Sequence, residues 1–284
     1  MAQIDPDEQR ARSREMWERA AAGWGTRAQR VREWGMPVSA AMIDALALAP
    51  GQTVLELAAG PGDTGFMAAE MVKPQGRLIC SDGSEAMLQV ARERAAEAGV
   101  DNVEFRQLEL EWIDLETATI DAVLCRWGIM LVVDPEAAAQ EIRRVLRSGG
   151  QVAVAVWDVP ERNPWTTIPS QAMQALGHSE APDPSGPGMF RLAANDRLQE
   201  LLEGAGFVEV TVARVGVERR FATLKEYVQE TFEMSPMLGT VFRELDDRQR
   251  AAVTERIGAA AEQFETSDGS LVLPGSSLVA SAAA

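Results

Sequence analysis

Apolar residues recur in two rhythms along this chain of 284 residues, and the changes between them divide it. From 52 to 157, short apolar runs such as Val54-Leu55-x-Leu57-Ala58 alternate with stretches of helical period. The helix predicted at 84–98 opens on Ser84 as N-cap, gathers Met87, Val90, Ala91 and Ala95 on one face, and stops at Gly99. Another, at 135–147, aligns Ala138, Ile142, Val145 and Leu146 and ends before Gly149. Strand and helix alternating every 10 to 15 residues or so predict parallel βαβ units in a doubly wound α/β sheet. Ahead of this core, residues 6–48 read as helical, with Met16, Trp17, Ala20 and Trp24 in phase and Pro37 opening a second helix that runs to Leu48.

Beyond Trp157 the rhythm changes. Residues 158–193 carry Pro160, Pro164, Pro169, Pro182, Pro184 and Pro187 around a short helix at 166–176. So long an irregular connection predicts a functional cover. A helix from Asp196 to Leu202 then leads through Gly204 and Gly206 into a strand, Phe207–Val212, completing a core segment at 194–214. Residues 215–266 follow as a helical insertion. Ser235-Pro236 starts a helix, Met234, Met237, Leu238, Val241, Phe242 and Leu245 step by three and four, and Val253, Ile257 and Phe264 repeat the stripe. Its amphipathic helices are expected to fold over the carboxyl ends of the strands as a lid. The alternatives are cover for a sheet edge or a homodimer surface. Methionine-rich walls would suit an adaptable, greasy ligand. The Asp268-Gly269 turn and strands Ser270–Leu273 and Ser277–Ala280 return the chain to the core at 267–284.

The chemistry concentrates where the first strand ends. Glu56 lies inside the apolar run, which empties into a turn carrying Gly60, Gly62 and Gly65. A strand that stops at glycines and restarts as a helix points bare N–H groups at a ligand. With Asp82 downstream, Gly60-x-Gly62-x-x-Gly65 fits a dinucleotide fingerprint, which would make the chain a nicotinamide-dependent oxidoreductase. A carboxylate beside that turn, however, suits a cationic ligand, an ammonium or a sulfonium, better than a pyrophosphate.

Glu56-Leu57-Ala58-Ala59-Gly60-Pro61-Gly62 resembles the first motif of class I S-adenosylmethionine-dependent methyltransferases, with Ala58 where that family's first glycine usually stands. Four further blocks resemble the family in order. They are Gly76–Leu88 with Asp82 at a strand end, Asn102–Leu110 with Glu109 where Asp is commoner, Ile120–Trp127, and Val145–Val154 with Gly149-Gly150. The nearest kin resemble the small-molecule methyltransferases related to quinone biosynthesis.

The resemblance implies a Rossmann-like, mostly parallel seven-stranded sheet and S-adenosylmethionine as cofactor. It implies Trp24, Glu56, Ala58, Gly60, Gly62, Thr64, Asp82, Gly83, Met87, Glu109, Leu110, Cys125 and Arg126 as cofactor-binding residues. Asp82 would take the ribose hydroxyls, Glu109 the adenine amino group, Thr64 the cofactor carboxylate or only the cap of its helix, and Trp24 would cover the methionine end or anchor the N-terminal helix. In-line methyl displacement leaves no nucleophile motif, so the catalytic residues stay unknown and a cofactor-binding protein without turnover remains an alternative.

Charge and composition narrow the partners. A formal net charge of −16 without a basic cluster speaks against nucleic acid and anionic membranes, and favours a small-molecule acceptor. No apolar run spans a membrane, and the N-terminus lacks a signal-peptide pattern. Cys80 and Cys125 fall on predicted buried strands and, with the single histidine, His178, are too few ligands for zinc. The expectation is a cytoplasmic enzyme with no metal. Tyr227 is expected to pack an insertion helix and His178 to be a solvated loop residue.

Overall fold

The computed structural model describes residues 5–181, 183, 186–193 and 196–284. Seven strands form one sheet: β1 (Thr53–Leu57), β2 (Arg77–Asp82), β3 (Val103–Gln107), β4 (Ile120–Arg126), β5 (Leu146–Trp157), β6 (Val208–Phe221) and β7 (Leu271–Ala283). Their spatial order is β3-β2-β1-β4-β5-β7-β6. Strands β1 to β5 pair in parallel, while β7 is antiparallel to both β5 and β6. The apolar runs are buried on both faces: Val54, Leu55, Leu57, Val123, Leu124, Val152 and Val154 are fully enclosed. Each such side chain contributes about 1.5–3 kcal/mol. The crossover helices are α2 (Asp63–Met71), α3 (Glu85–Ala98) and α4 (Pro135–Val145). Helix α3 has the predicted caps, Ser84 accepting from Met87 N and Gly99 in the left-handed conformation.

The chain winds outward from β1 to β3, then returns to lay β4 on the other side of β1. That reversal opens a crevice at the carboxyl ends of β1 and β4, where open α/β sheets bind ligands.

Residues 6–48 do not break at Pro37. They form one helix, α1 (Pro6–Leu46), with Pro37 inside it. Proline leaves one rung of the ladder unmade, but Val31, Gly35, Val38 and Met42 are buried on both sides of the gap and hold the helix through it. The sixth strand runs past Val212 to Phe221, so residues 215–221 belong to the sheet and not to the insertion. The two expected final strands are one, β7. Pro274 is tolerated because β5 pairs with β7 only from Ser277 onward, which leaves Pro274 with a partner on one side.

Helices α5 (Pro164–Ala175) and α6 (Arg197–Gly204) precede β6, and α7 (Leu224–Met234), α8 (Pro236–Glu244) and α9 (Asp247–Ala261) make up the insertion. Pro182, Pro184 and the expected boundary at 194 lie outside the described residues. The insertion packs on α1 and α5. Arg219 and Glu230, both buried, pair at 2.6 Å, and Arg30 of α1 reaches the same carboxylate at 2.9 Å. The Tyr227 hydroxyl donates to the Trp165 carbonyl. Trp34 of α1, Trp127, Trp157 and Trp165 of α5 form one cluster, with centroids 4.4–6.2 Å apart in the pairs that meet. No described helix is long and apolar enough to cross a membrane.

Candidate active site

A cleft opens at the crevice between β1 and β4. Its floor is made of strand ends: Glu56, Ala58, Ala59 and Gly60 after β1, Asp82 to Ser84 after β2, Glu109 to Glu111 beyond β3, and Arg126 to Gly128 after β4. Its roof is the first half of α1, through Arg10, Ser13, Arg14, Trp17 and Trp24, joined by Leu131, Val132 and Val133.

The floor is wired by hydrogen bonds from backbone donors to two carboxyl groups. Gly60 N donates to Asp82 Oδ2 at 2.9 Å and Ser84 N to Asp82 Oδ1 at 2.9 Å, so one carboxylate ties the two loops together and keeps lone pairs toward the cleft. A side chain on Gly60 would meet nothing within 4 Å, because the space above the turn is the cleft itself. Glu56 Oε1 accepts from Gly65 N at 2.9 Å. Gly65 must lack a side chain, since a Cβ there would collide with the Glu56 carboxylate. Burial pushes the Glu56 carboxyl up to about 8, against the opposing pull of nearby Arg126. Burial likewise raises Asp82 to about 6, although the Ser84 and Gly60 N–H groups favour its charged form.

Two floor residues sit in the left-handed region that favours glycine: Ala58 at φ 49° and Trp127 at φ 60°. For Trp127 this is a strained conformation. It is held by stacking on Trp157 at 4.4 Å and by Nε1 donating to Ser277 Oγ at 3.0 Å.

Of the residues the resemblance implies, Trp24, Glu56, Ala58, Gly60, Asp82, Gly83, Met87, Glu109, Leu110 and Arg126 line this cleft together. Gly62, Thr64 and Cys125 do not. Gly62 is the left-handed N-cap of α2. Thr64 is fully buried with its hydroxyl 2.9 Å from Ser39 Oγ, so it has no face for a cofactor carboxylate. Cys125 lies beneath the floor, its thiol pushed up to about 12 by burial. Glu109 is already engaged by Arg14, whose Nε donates at 2.8 Å.

The insertion contributes nothing to the cleft lining, and neither do the described residues of 158–193. The expected lid is therefore replaced by α1, which the insertion braces from behind through Arg27–Glu233 and Arg30–Glu226. The methionine-rich wall goes with it: Met234 is buried, Met237 is exposed and neither faces the cleft. Residues 186–193 serve the site indirectly, with Arg191 Nη1 donating to the carbonyls of Val132 and Val133. His178 and Tyr227 lie away from the cleft.

Sequence reasoning missed Arg10, Arg14 and Trp17. Their helical phase with Trp24 was visible, but the strand end their helix would cross was not.

The chain matches a family model described as a methyltransferase domain over residues 48–206, more than half its length, and it belongs to that family. It is 32% identical over 167 residues to an arsenite methyltransferase of Halobacterium salinarum, covering 59% of this chain and 40% of that enzyme. It is 30% identical over 181 residues to the ubiquinone/menaquinone biosynthesis C-methyltransferase UbiE of Escherichia fergusonii, covering 59% of this chain and 71% of that one. The chain thus spans well under half of the first relative and most of the second. A putative methyltransferase from Bacillus halodurans C-125 shares the fold, with a TM-score of 0.59 at 19% identity over 86% of this chain and 97% of that one.

Proposed function

We propose that this member of the methyltransferase domain family moves the methyl group of S-adenosylmethionine to a small, apolar or aromatic acceptor by in-line displacement. One observation carries the reading. Two carboxyl groups, Glu56 and Asp82, stand near the ends of adjacent strands on either side of the turn that carries Gly60 and Gly62, in one cleft. When bound, S-adenosylmethionine supplies an electrophilic methyl carbon on a positively charged sulfur.

The chain's own residues bind and orient. Asp82 accepts from the ribose hydroxyls with the lone pairs its two backbone donors leave free. Met87 and Leu110 supply apolar faces for the adenine, and Glu109 accepts from its amino group. Glu56 meets the ammonium, and Trp24 covers the methionine end. Charge disappears in the transition state, so alignment and exclusion of water are what the protein supplies. The roof of α1, with Trp17 and Trp24, excludes the water.

The acceptor belongs on the apolar side of the cleft, against Trp127, Leu131, Val132 and Val133. An arsenite acceptor would want soft thiolate ligands. Cys80 and Cys125 are both buried off the cleft, which favours a carbon, oxygen or nitrogen acceptor. These free thiols also suit a reducing, cytoplasmic setting.

The nicotinamide reading fares worse. A pyrophosphate would need the bare N–H groups that start α2. Gly65 N is already given to Glu56. Calorimetric titration with S-adenosylmethionine, S-adenosylhomocysteine and NADH separates the two. Micromolar binding of the first pair and none of NADH is expected, and the reverse would make the chain an oxidoreductase. A labelled-methyl assay over quinol, phenol and terpenoid acceptors then distinguishes turnover from binding alone.

A further inference from the structure

A second pocket, which shares no lining residue with the cleft, lies where α5 meets β6, β7 and the turn after α9. Its volume of about 640 Å³ falls within the range of small-molecule sites. Pro164, Ile168, Phe264 and Pro274 give it apolar walls, and Arg162 and Arg214 stand at its opening. Two guanidiniums at one opening stand out in a chain of net charge −16.

One carboxylate anchors both. Asp158, 1% exposed just past β5, accepts from Arg214 Nε at 2.6 Å and has Arg162 Nε 3.5 Å away. Its needs are met without Arg162, since Val159 N donates to Oδ1 and Ser276 Oγ to Oδ2, each at 2.8 Å. Arg162 therefore brings a charge that Asp158 does not require. Both arginines turn Nε toward Asp158, and among the described residues their terminal nitrogens make no hydrogen bond. Both side chains are about half exposed. The only carboxylate in the pocket lining is Glu161, which the two arginines outnumber.

Two guanidinium forks, fixed at the stem and open at the tip, suit an oxyanion. A carboxylate fills one fork, whereas a phosphate monoester carries about −1.5 to −2 charge at neutral pH and three oxygens, enough for both. We propose that this pocket is a second ligand site, for a small organic phosphate held by Arg162 and Arg214 with its apolar body against Ile168 and Phe264. Gly216 leaves the room. It shares a face of β6 with Arg214, and a Cβ there would meet nothing within 4 Å. The anchors of the clamp also adjoin the supports of Trp127 in the cleft. Asp158 follows Trp157, which stacks on Trp127, and Ser276 precedes Ser277, which accepts from Trp127 Nε1.

Calorimetric titration of the full chain with phenyl phosphate, inorganic phosphate and phenol tests the site. Phenyl phosphate should bind with a Kd below about 1 mM, inorganic phosphate about tenfold more weakly, and phenol not detectably. Arg162→Gln, which breaks no close hydrogen bond, should weaken phenyl phosphate about tenfold. Gly216→Phe keeps both arginines and should abolish the binding by filling the pocket. Arg14→Ala, which removes a cation from the cleft, should leave the affinity within about twofold. No binding of phenyl phosphate at about 10 mM would overturn the proposal, as would unchanged affinity in Arg162→Gln and Gly216→Phe. A loss confined to Arg14→Ala would put the phosphate in the cleft and overturn it too, and inorganic phosphate binding as tightly would remove the apolar body from it.

Discussion

The floor and the roof of the cleft are built from opposite materials. The floor's polar contacts are backbone donors on carboxylates, Gly60 and Ser84 on the part-buried Asp82 and Gly65 on the buried Glu56, set by strand register. The roof is a helix held down by side-chain ion pairs in contact with solvent: Arg10 with Glu111 at 2.8 Å and Arg14 with Glu109 at 2.7 Å. Glu18 adds a cap, accepting from Glu85 N and Ala86 N at the start of α3. Buried, geometrically fixed hydrogen bonds are expensive to break, whereas exposed ion pairs are worth about 0–1 kcal/mol each. The difference gives each wall its work. The floor is fixed by backbone geometry, and the roof is held by weaker side-chain contacts.

The largest effect should come from breaking the floor. Asp82→Ala removes the proposed ribose acceptor and orphans two backbone donors, so affinity for S-adenosylhomocysteine should fall by about 100-fold or more, measured by calorimetry. Unchanged affinity would remove Asp82 from the site.

A second test uses pH. Glu56 ordinarily titrates near 4.5 but in the folded protein near 8. Between those values the folded chain keeps a proton the unfolded chain has released, so the Glu56 contribution to stability declines as pH rises through that window and is constant above it. An ammonium needs the bare carboxylate, so affinity should climb as pH rises toward about 8 and then level off. Glu56→Gln should flatten the climb, and an unaltered profile would show that another group governs it.

Roof changes should be milder. Arg10→Ala with Arg14→Ala should cost no more than about 1–2 kcal/mol of stability while speeding amide exchange over residues 6–24. High salt should mimic the variant. Protection that stays as high as in the strands would mean the roof does not open on its own.

Ala58→Gly, which relieves a left-handed alanine in the floor, should raise stability by about 0.5–1 kcal/mol in thermal melts. His178→Ala, away from both walls, should leave turnover within about threefold.

Much of the floor was legible in the sequence because its signals are local. Ser84 and Gly99 delimit α3 by capping chemistry, and the strand-to-glycine transition at 57–62 marks where bare N–H groups appear. Glu56 inside an apolar run stood out for the same reason. The misreadings all concern which surface meets which. Pro37 signals a helix start when read alone, and packing on either side of it overrides that signal. Thr64 looked like a ligand contact at a helix start until α1 laid Ser39 against it. The insertion's stripe was read correctly as amphipathic, but periodicity says that a face is buried and never against what.

Sequence alone determined the parallel core, the acid-glycine turn and the acid after the second strand, because backbone geometry and buried charge constrain residue type within a few positions. The tertiary structure decided the roof, the partners of Arg126 and the place of the insertion. Those depend on contacts across tens to hundreds of residues, such as Ser39 with Arg126 and Arg27 with Glu233, whose register no local pattern encodes.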